Sequence, residues 1–292
     1  MFSREYMAPL FAFSGWLALS GILYTVICSL DRMFIGNLVD IKAVSYYAAP
    51  FEAISRLGII PGSFSLVLFP AFSYLNGGSD REVVEKIFSR SVKYLLVLAG
   101  TPLLFLAFFA KDFLRLWLGG DFALRSTQVV QLLALGFLVN SVITVAFSYL
   151  QGIGRVDITT KLQMVELVFY ALLAWLCIRR WGIVGAAFAT CMRLSIFTFF
   201  YFWASFKAGR ISFERFKEFG GLRSAAALSI LGLGLLANQR AGLGIAGAVV
   251  LFLGFVPFVY FFLLDRQERT FVMERIRSTI RPDHSGLRRR LK

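Results

Sequence analysis

The sequence predicts an all-α protein, a polytopic membrane helix bundle of about eight transmembrane helices. Of its 292 residues, 58% are hydrophobic and only 16% are charged, whereas soluble domains carry about 25% charged residues. The mean hydropathy is +0.71. Uncharged stretches occupy residues 9–30, 57–79, 126–154 and 241–264. An apolar stretch of about 18 or more residues can cross a bilayer as a helix, so these observations exclude a soluble globular domain.

The apolar pattern places the membrane spans in order along the chain. The predicted spans are 9–31, 43–75, 90–110, 126–151, 160–180, 182–206, 219–238 and 242–264. The second span is long and contains Pro50 and Pro61, so we expect one kinked helix rather than two. The seventh has the shortest uncharged stretch. We expect three regions: a six-helix transporter bundle over 1–206, two additional transmembrane helices over 207–264, and a basic tail over 265–292.

The distribution of cations predicts the orientation in the membrane. With eight spans both termini share one side, which then holds 21 of the 31 Lys and Arg residues, against eight on the other side. Because cationic loops stay cytoplasmic, both termini and the tail are expected inside the plasma (inner) membrane. The net charge of +14 is spread over loops that face one leaflet. This favours anionic lipids as partners and argues against nucleic acid.

Two amphipathic stretches, 111–125 and 265–281, are expected to lie at the membrane surface as boundary helices. The first carries Trp117, which suits the membrane–water interface.

The composition also excludes several kinds of chemistry. The single histidine, His284, lies in the tail, so serine–histidine catalysis, histidine-rich zinc sites and histidine proton relays have no residue inside the membrane. The three cysteines are isolated in apolar segments, which is typical of core residues. We therefore expect no catalytic residues, no metal site and no cofactor.

Ionisable residues inside the predicted spans are the most informative, because each costs about 3 kcal/mol or more at the bilayer centre. One explanation is structural, since Glu52 with Arg56, and Glu166 with Arg193, could pair and hold helices together. The explanation that we favour is functional: arginines that face a cavity attract an anionic substrate, and buried carboxylates bind a coupling cation or proton. On this hypothesis the substrate-binding candidates are Arg32, Arg56 and Arg193, and the coupling or gating candidates are Asp31, Glu52 and Glu166.

Proline and glycine within a span point to a hinge as well. Pro61 and Gly62 are adjacent in the long second span, where a broken helix is tolerated if its backbone lines a cavity. An ordinary packing kink is the alternative.

Several segments resemble a known transporter family. They are SLDRMFIG (29–36), YYAAP (46–50), IIPGSFSLVLFPAFSYL (59–75), FLRLWLGGDFA (113–123), LLALGFLVNSVITVAFSYLQGIGRVD (132–157) and RRWGIVGAAFATCMRLS (179–195). In this order and spacing they resemble the second half of Wzx-type oligosaccharide flippases of the polysaccharide biosynthesis protein family. That family belongs to the multidrug/oligosaccharidyl-lipid/polysaccharide exporter superfamily. The resemblance covers about residues 9–200.

The resemblance implies a non-enzymatic flippase for O-antigen, capsule or exopolysaccharide biosynthesis. Such a protein moves polyprenyl-diphosphate-linked oligosaccharide between leaflets by alternating access, powered by an ion gradient, through a cationic cavity between two six-helix bundles. The resemblance makes Arg32 and Arg56 contacts for the diphosphate or an acidic sugar. It leaves Asp31, Glu52, Glu166 and Arg193 as candidates for coupling or gating. A polysaccharide polymerase is a possible partner.

The chain departs from this family in length, because it has one bundle and two further helices where the family has two bundles. We expect either a missing N-terminal half, which we favour, or a homodimer, since a lone bundle would expose charged residues to lipid. Three other functions stay open. They are a multidrug or metabolite exporter of the same superfamily, an inactive membrane fragment or assembly subunit, and an integral membrane enzyme.

Overall fold

The computed structural model describes residues 4–76, 81–208, 211–212, 214, 221–240 and 254–255. The chain divides into two compact units, residues 1–228 and 229–292, and every candidate site residue lies in the first. Most of the predicted eighth span and the whole tail, 265–292, with its amphipathic stretch 265–281, lie outside the described residues. The predicted regions 1–206, 207–264 and 265–292 therefore stay a prediction.

The elements of the described residues are all helical, which confirms the predicted all-α class. The α-helices are α1 (Arg4–Leu38), α2 (Ile41–Ser55), α3 (Ile59–Asn76), α4 (Arg81–Phe108), α5 (Ala110–Trp117), α6 (Gly120–Asn140), α7 (Ile143–Gly152), α8 (Val156–Lys207) and α9 (Gly221–Arg240). Five helical segments of this part of the chain are long and apolar enough to cross a membrane: Phe13–Leu38, Ile41–Asn76, Arg81–Phe108, Gly120–Gly152 and Val156–Lys207. The chain is a multi-pass membrane protein.

The fifth of these segments, α8, is a hairpin of two helices. Gly182 has φ 57° and ψ −134° inside its 52 residues, a left-handed backbone that glycine adopts without steric cost. A Cβ at Gly185 would lie 2.0 Å from the carbonyl oxygen of Cys177, so the two arms touch closely beside the turn. The arms correspond to the predicted spans 160–180 and 182–206, and the five segments thus account for the first six predicted spans.

The α-helix of the second predicted span is interrupted before the proline–glycine pair, and the kink itself stays a prediction. The 3₁₀ turn Arg56–Gly58 separates α2 from α3, and Pro61 sits in the first turn of α3, where a missing N–H is tolerated. A second break at residues 141–142 separates α6 from α7. The amphipathic stretch predicted over 111–125 is shorter than expected, because α5 ends at Trp117 and α6 begins at Gly120.

The core of the first unit is divided between the two ends of the bundle. One cluster contains Ile35, Tyr47 and Ala186, close to the turns at 39–40 and 182. The other contains Phe72 and Leu150, close to the opposite helix ends. The space between these clusters holds polar groups, among them Gln163, Glu166 and Arg193.

Helices α3 and α7 approach so closely that only glycine fits at the end of α7. A Cβ at Gly152 would lie 2.7 Å from Phe72 Cβ, 3.1 Å from the backbone nitrogen of Ser73 and 3.2 Å from the carbonyl oxygen of Phe69. Two of these three atoms belong to backbone, which cannot rotate away as a side chain can.

We predict that Gly152→Ala lowers the free energy of unfolding by about 1–3 kcal/mol, the usual cost of overpacking. Gly15→Ala is the matched control, because no atom lies within 4 Å of its added Cβ. Unfolding of the purified variants in mixed detergent micelles measures the difference. Equal stability of the two variants would show that the α3–α7 contact is looser than the structure indicates.

Candidate functional site

The centre of the bundle holds a buried ion pair made by the two arms of α8. Arg193 Nη1 donates a hydrogen bond to Glu166 Oε1 at 2.5 Å, and each residue is only 7% exposed. The hairpin at Gly182 reverses the chain and so brings these two positions, 27 residues apart, to the same depth.

The guanidinium of Arg193 is held on a second side by an aromatic ring. Its Cζ lies 4.7 Å from the ring centroid of Tyr170, a distance at which a cation is attracted to the ring face. Its Nε is buried and has no hydrogen-bond partner among the described residues. Arg193 therefore has one unsatisfied donor, which is enclosed by protein atoms.

Both members of the pair line a cavity of about 700 Å³ inside the bundle. Its walls are largely apolar and come from α1, α2, α3, α4, α6, α7 and α8, with side chains such as Phe51, Leu103 and Phe147. Pro61 and Gly62 also line it, next to the 3₁₀ turn, and their role as a hinge stays a prediction. A largely apolar cavity with a few convergent polar groups is the usual form of a ligand site.

Asp31 lies outside the lining of this cavity but is linked to it through hydroxyl groups. It is 1% exposed and accepts a hydrogen bond of 2.5 Å from the Tyr47 hydroxyl. The Thr190 hydroxyl lies 3.1 Å from that of Tyr47 and 2.9 Å from that of Tyr170. Because Tyr170 also carries Arg193 on its ring face, a continuous polar chain connects Asp31 with the ion pair.

Sequence reasoning missed these uncharged polar residues. Gln163 is another, since Ser20 of α1 donates to its Oε1 at 2.6 Å. The residues 163, 166 and 170 are spaced by three and four, so they share one helix face. That spacing was the available signal.

Arg32, Glu52 and Arg56 lie elsewhere, and none of them lines the cavity. Arg32 Nη2 donates to Glu52 Oε1 at 2.6 Å, with 35% and 51% of the two side chains exposed. The structure thus pairs Glu52 with Arg32 of α1 rather than with Arg56. Arg56 is exposed on the 3₁₀ turn. These three residues form an exposed charged face on α1 and the α2–α3 segment.

A multi-pass helical bundle with a buried ion pair beside a cavity is an arrangement that membrane transporters share. Residues 1–127 match the sequence profile of a family described as "Polysaccharide biosynthesis protein". A Shigella flexneri protein whose name proposes it as an O-antigen transporter is 28% identical over 63% of this chain and 44% of its own length. A Haloferax volcanii protein whose name proposes it as a flippase of low-salt glycan biosynthesis is 21% identical over 92% of this chain and 55% of its own length.

These similarities confirm the resemblance to Wzx-type flippases. Among solved structures, the lipid II flippase MurJ in an inward closed conformation superposes with a TM-score of 0.61 at 14% identity, over 89% of this chain and 56% of MurJ. Identity this low shows a shared fold alone. The chain spans about half the length of the curated relatives it matches, between 40% and 55%.

The buried pair and the exposed pair should respond differently to truncation. We predict that Arg193→Ala lowers the free energy of unfolding by about 3–5 kcal/mol, because Glu166 is left buried without its cation and must either stay charged or take up a proton. Arg32→Ala should cost about 1 kcal/mol or less, since Glu52 stays half exposed.

Unfolding in mixed micelles tests this second prediction, with the double variant Glu166→Gln/Arg193→Met as the control. Removing both charges should restore part of the stability. Similar losses in Arg193→Ala and Arg32→Ala would contradict the difference in burial.

Proposed function

We propose that this chain is part of a flippase that translocates polyprenyl-diphosphate-linked oligosaccharide across the plasma membrane for polysaccharide biosynthesis. The observation that carries the proposal is Arg193, a buried cation that lines a 700 Å³ cavity inside a membrane bundle. An arginine fork suits a phosphate, which it can bind through two parallel hydrogen bonds. The named relatives support lipid-linked sugar as the substrate class.

The site residues then divide by location. Arg193 contacts the anionic part of the substrate inside the cavity, and Arg32 and Arg56 contact it on the exposed charged face. Glu166 and Asp31 are the buried carboxylates available for coupling, and Glu52 gates by releasing or holding Arg32. Pro61 and Gly62 allow the α2–α3 segment to bend beside the cavity.

A second helical bundle covers the exposed charged face. In α1 and in the α2–α3 segment only 11% of the most apolar 18-residue window is buried, against 50–56% in the other three membrane segments. Charged side chains on such a face are unfavourable in lipid. The partner bundle is either a further part of the same polypeptide or a second copy of this chain, and half-length coverage of the relatives fits both.

The orientation follows from the cation bias, with both termini cytoplasmic in the inner membrane. In this orientation α1 begins inside, and the turn at Gly182 lies at the outer surface. Anionic lipids of the inner leaflet contact the cytoplasmic loops, and a polysaccharide polymerase receives the translocated substrate.

Reconstitution into liposomes tests the proposed activity directly. The probe is a fluorescent polyprenyl-diphosphate sugar whose headgroup is quenched from outside over time. We expect faster translocation than in empty liposomes if two copies complete the cavity. If translocation needs a second, different bundle, we expect activity only when a complementary bundle from a full-length relative is co-reconstituted.

No translocation in either preparation would contradict the flippase proposal, provided that the full-length relative is active in parallel. Equal transport of drugs or metabolites without a lipid-linked sugar would favour an exporter of the same superfamily. Transport that requires the lipid-linked sugar would exclude that alternative.

We predict that Arg193→Gln slows translocation at least tenfold, because it removes the cation from the cavity. Arg193→Lys should recover little if two parallel hydrogen bonds to phosphate are needed, since lysine offers a point charge. Arg125→Gln is the matched control, because Arg125 is exposed at the start of α6 and bonds to Asp121. Initial rates at equal protein per vesicle measure the effect, and an unchanged rate in Arg193→Gln would remove Arg193 from the substrate path.

A further inference from the structure

We propose that anion binding to Arg193 is linked to protonation of Glu166, so that the cavity takes up a proton together with its anionic ligand. The inference rests on the proposed function, because it takes an isoprenoid diphosphate as the anion. It adds a chemical step that follows from how the ion pair is built.

Arg193 already binds Glu166 before any ligand enters. Its Nη1 bonds to Glu166, whereas its buried Nε has no partner among the described residues. Because Nε is enclosed by protein atoms, an incoming phosphate reaches it only if the guanidinium turns out of the ion pair. A contact with both Nε and a terminal nitrogen, the strong geometry for arginine and phosphate, favours displacement of Glu166 from the guanidinium.

A Glu166 carboxylate that has lost Arg193 is energetically unfavourable where it lies. Glu166 is 7% exposed and lies in a largely apolar cavity. A buried carboxylate without its cation is so unfavourable that such groups become neutral instead. Glu166 therefore takes one proton from water as Arg193 turns to the ligand. The ligand brings one negative charge to Arg193, and Glu166 gains one proton. The net charge of the site therefore does not change.

The other titratable groups near Glu166 and Arg193 are poorer acceptors of the incoming proton than Glu166. On α1, the groups near the Glu166–Arg193 pair are Tyr24, Cys28 and Asp31, and Arg32 adjoins Asp31. On α8, they are Tyr170 and Tyr201. The phenols and the thiol are already neutral at pH 7. Asp31 keeps its hydrogen bonds from the Tyr47 hydroxyl and the Arg32 backbone nitrogen when Glu166 is displaced, so its environment changes less than that of Glu166. The cavity-lining residues of α2, α3, α4, α6 and α7 include no carboxyl, amine or thiol.

Calorimetry tests the linkage on the full chain in lipid nanodiscs, with geranyl diphosphate as the probe. Titrations at pH 6, 7 and 8 in buffers of different ionisation enthalpy give the number of protons taken up per ligand. Choline is the monovalent cation throughout, which removes Na⁺ as a competing partner for Glu166. The probe itself titrates, so the quantity of interest is the difference between the unmodified chain and Glu166→Gln.

We expect the unmodified chain to take up about one proton more per ligand than Glu166→Gln. As the pH rises, the affinity of the unmodified chain for geranyl diphosphate should fall more steeply than that of Glu166→Gln. The additional loss is up to roughly tenfold per pH unit, because fewer protons are available for the linked step. Glu166→Gln should bind at least as tightly at pH 8, since a neutral amide competes less for Arg193. Asp157→Asn is the matched control: its carboxylate is on the same helix but pairs with Arg155 and Lys161 near the helix start, and it should behave as the unmodified chain does.

The outcomes separate this inference from the proposed function. Equal proton uptake in the unmodified chain and Glu166→Gln, or loss of uptake in Asp31→Asn alone, overturns the linkage but leaves the anion site. Failure of geranyl diphosphate to bind either chain rejects both. Infrared difference spectra of the unmodified chain need no variant: a protonated carboxyl band that grows on binding supports the linkage, and its absence refutes it.

Discussion

Burial of charge in a medium without water is the constraint on which the centre of this bundle depends, and Arg193 with Glu166 is where it acts. Neither residue is tolerable alone at this depth, so the two arms of α8 must return to the same level. Gly182 makes that possible through its left-handed backbone, and Gly185 lets the arms touch. Once the pair is aligned, Tyr170 lies under the guanidinium and Thr190 reaches Tyr47. The polar chain to Asp31 is thus a consequence of one correctly placed turn.

The sequence predicted much of the fold because a membrane bundle is specified by long apolar segments, and those are visible without packing information. The pairing of Glu166 with Arg193 was also available from the sequence as one alternative, since the two residues lie on adjacent antiparallel spans. The partner of Glu52 was not. Both Arg32 and Arg56 are sterically reasonable partners, and the choice depends on how α1 and α2 rotate about their axes. Tyr47, Tyr170 and Thr190 were missed because uncharged polar residues are common in spans and give no signal singly.

The two arginine–carboxylate pairs differ in what they can contribute. Arg32 and Glu52 are partly exposed, so their attraction is modest by itself and each can exchange its partner at small cost. Arg193 and Glu166 are enclosed, and neither can leave without replacement. A partly exposed charged face suits first contact with a phosphate headgroup or contact with a second bundle. An enclosed pair suits a step in which one partner is exchanged for another.

The neutrality of the enclosed pair also bears on how the cavity would select its ligand. A lone buried arginine would attract any anion, whereas Arg193 with Glu166 in place offers no net charge to an approaching ligand. Selection then requires a group that competes with a carboxylate for the guanidinium, as a phosphate with two acceptor oxygens can. It also requires an apolar remainder that fits walls such as Phe51 and Phe147. An isoprenoid diphosphate meets both conditions, and a small inorganic anion meets only the first. If the cavity binds substrate as proposed, it favours amphipathic anions, because a ligand must compete with Glu166 for Arg193 and also fill apolar space.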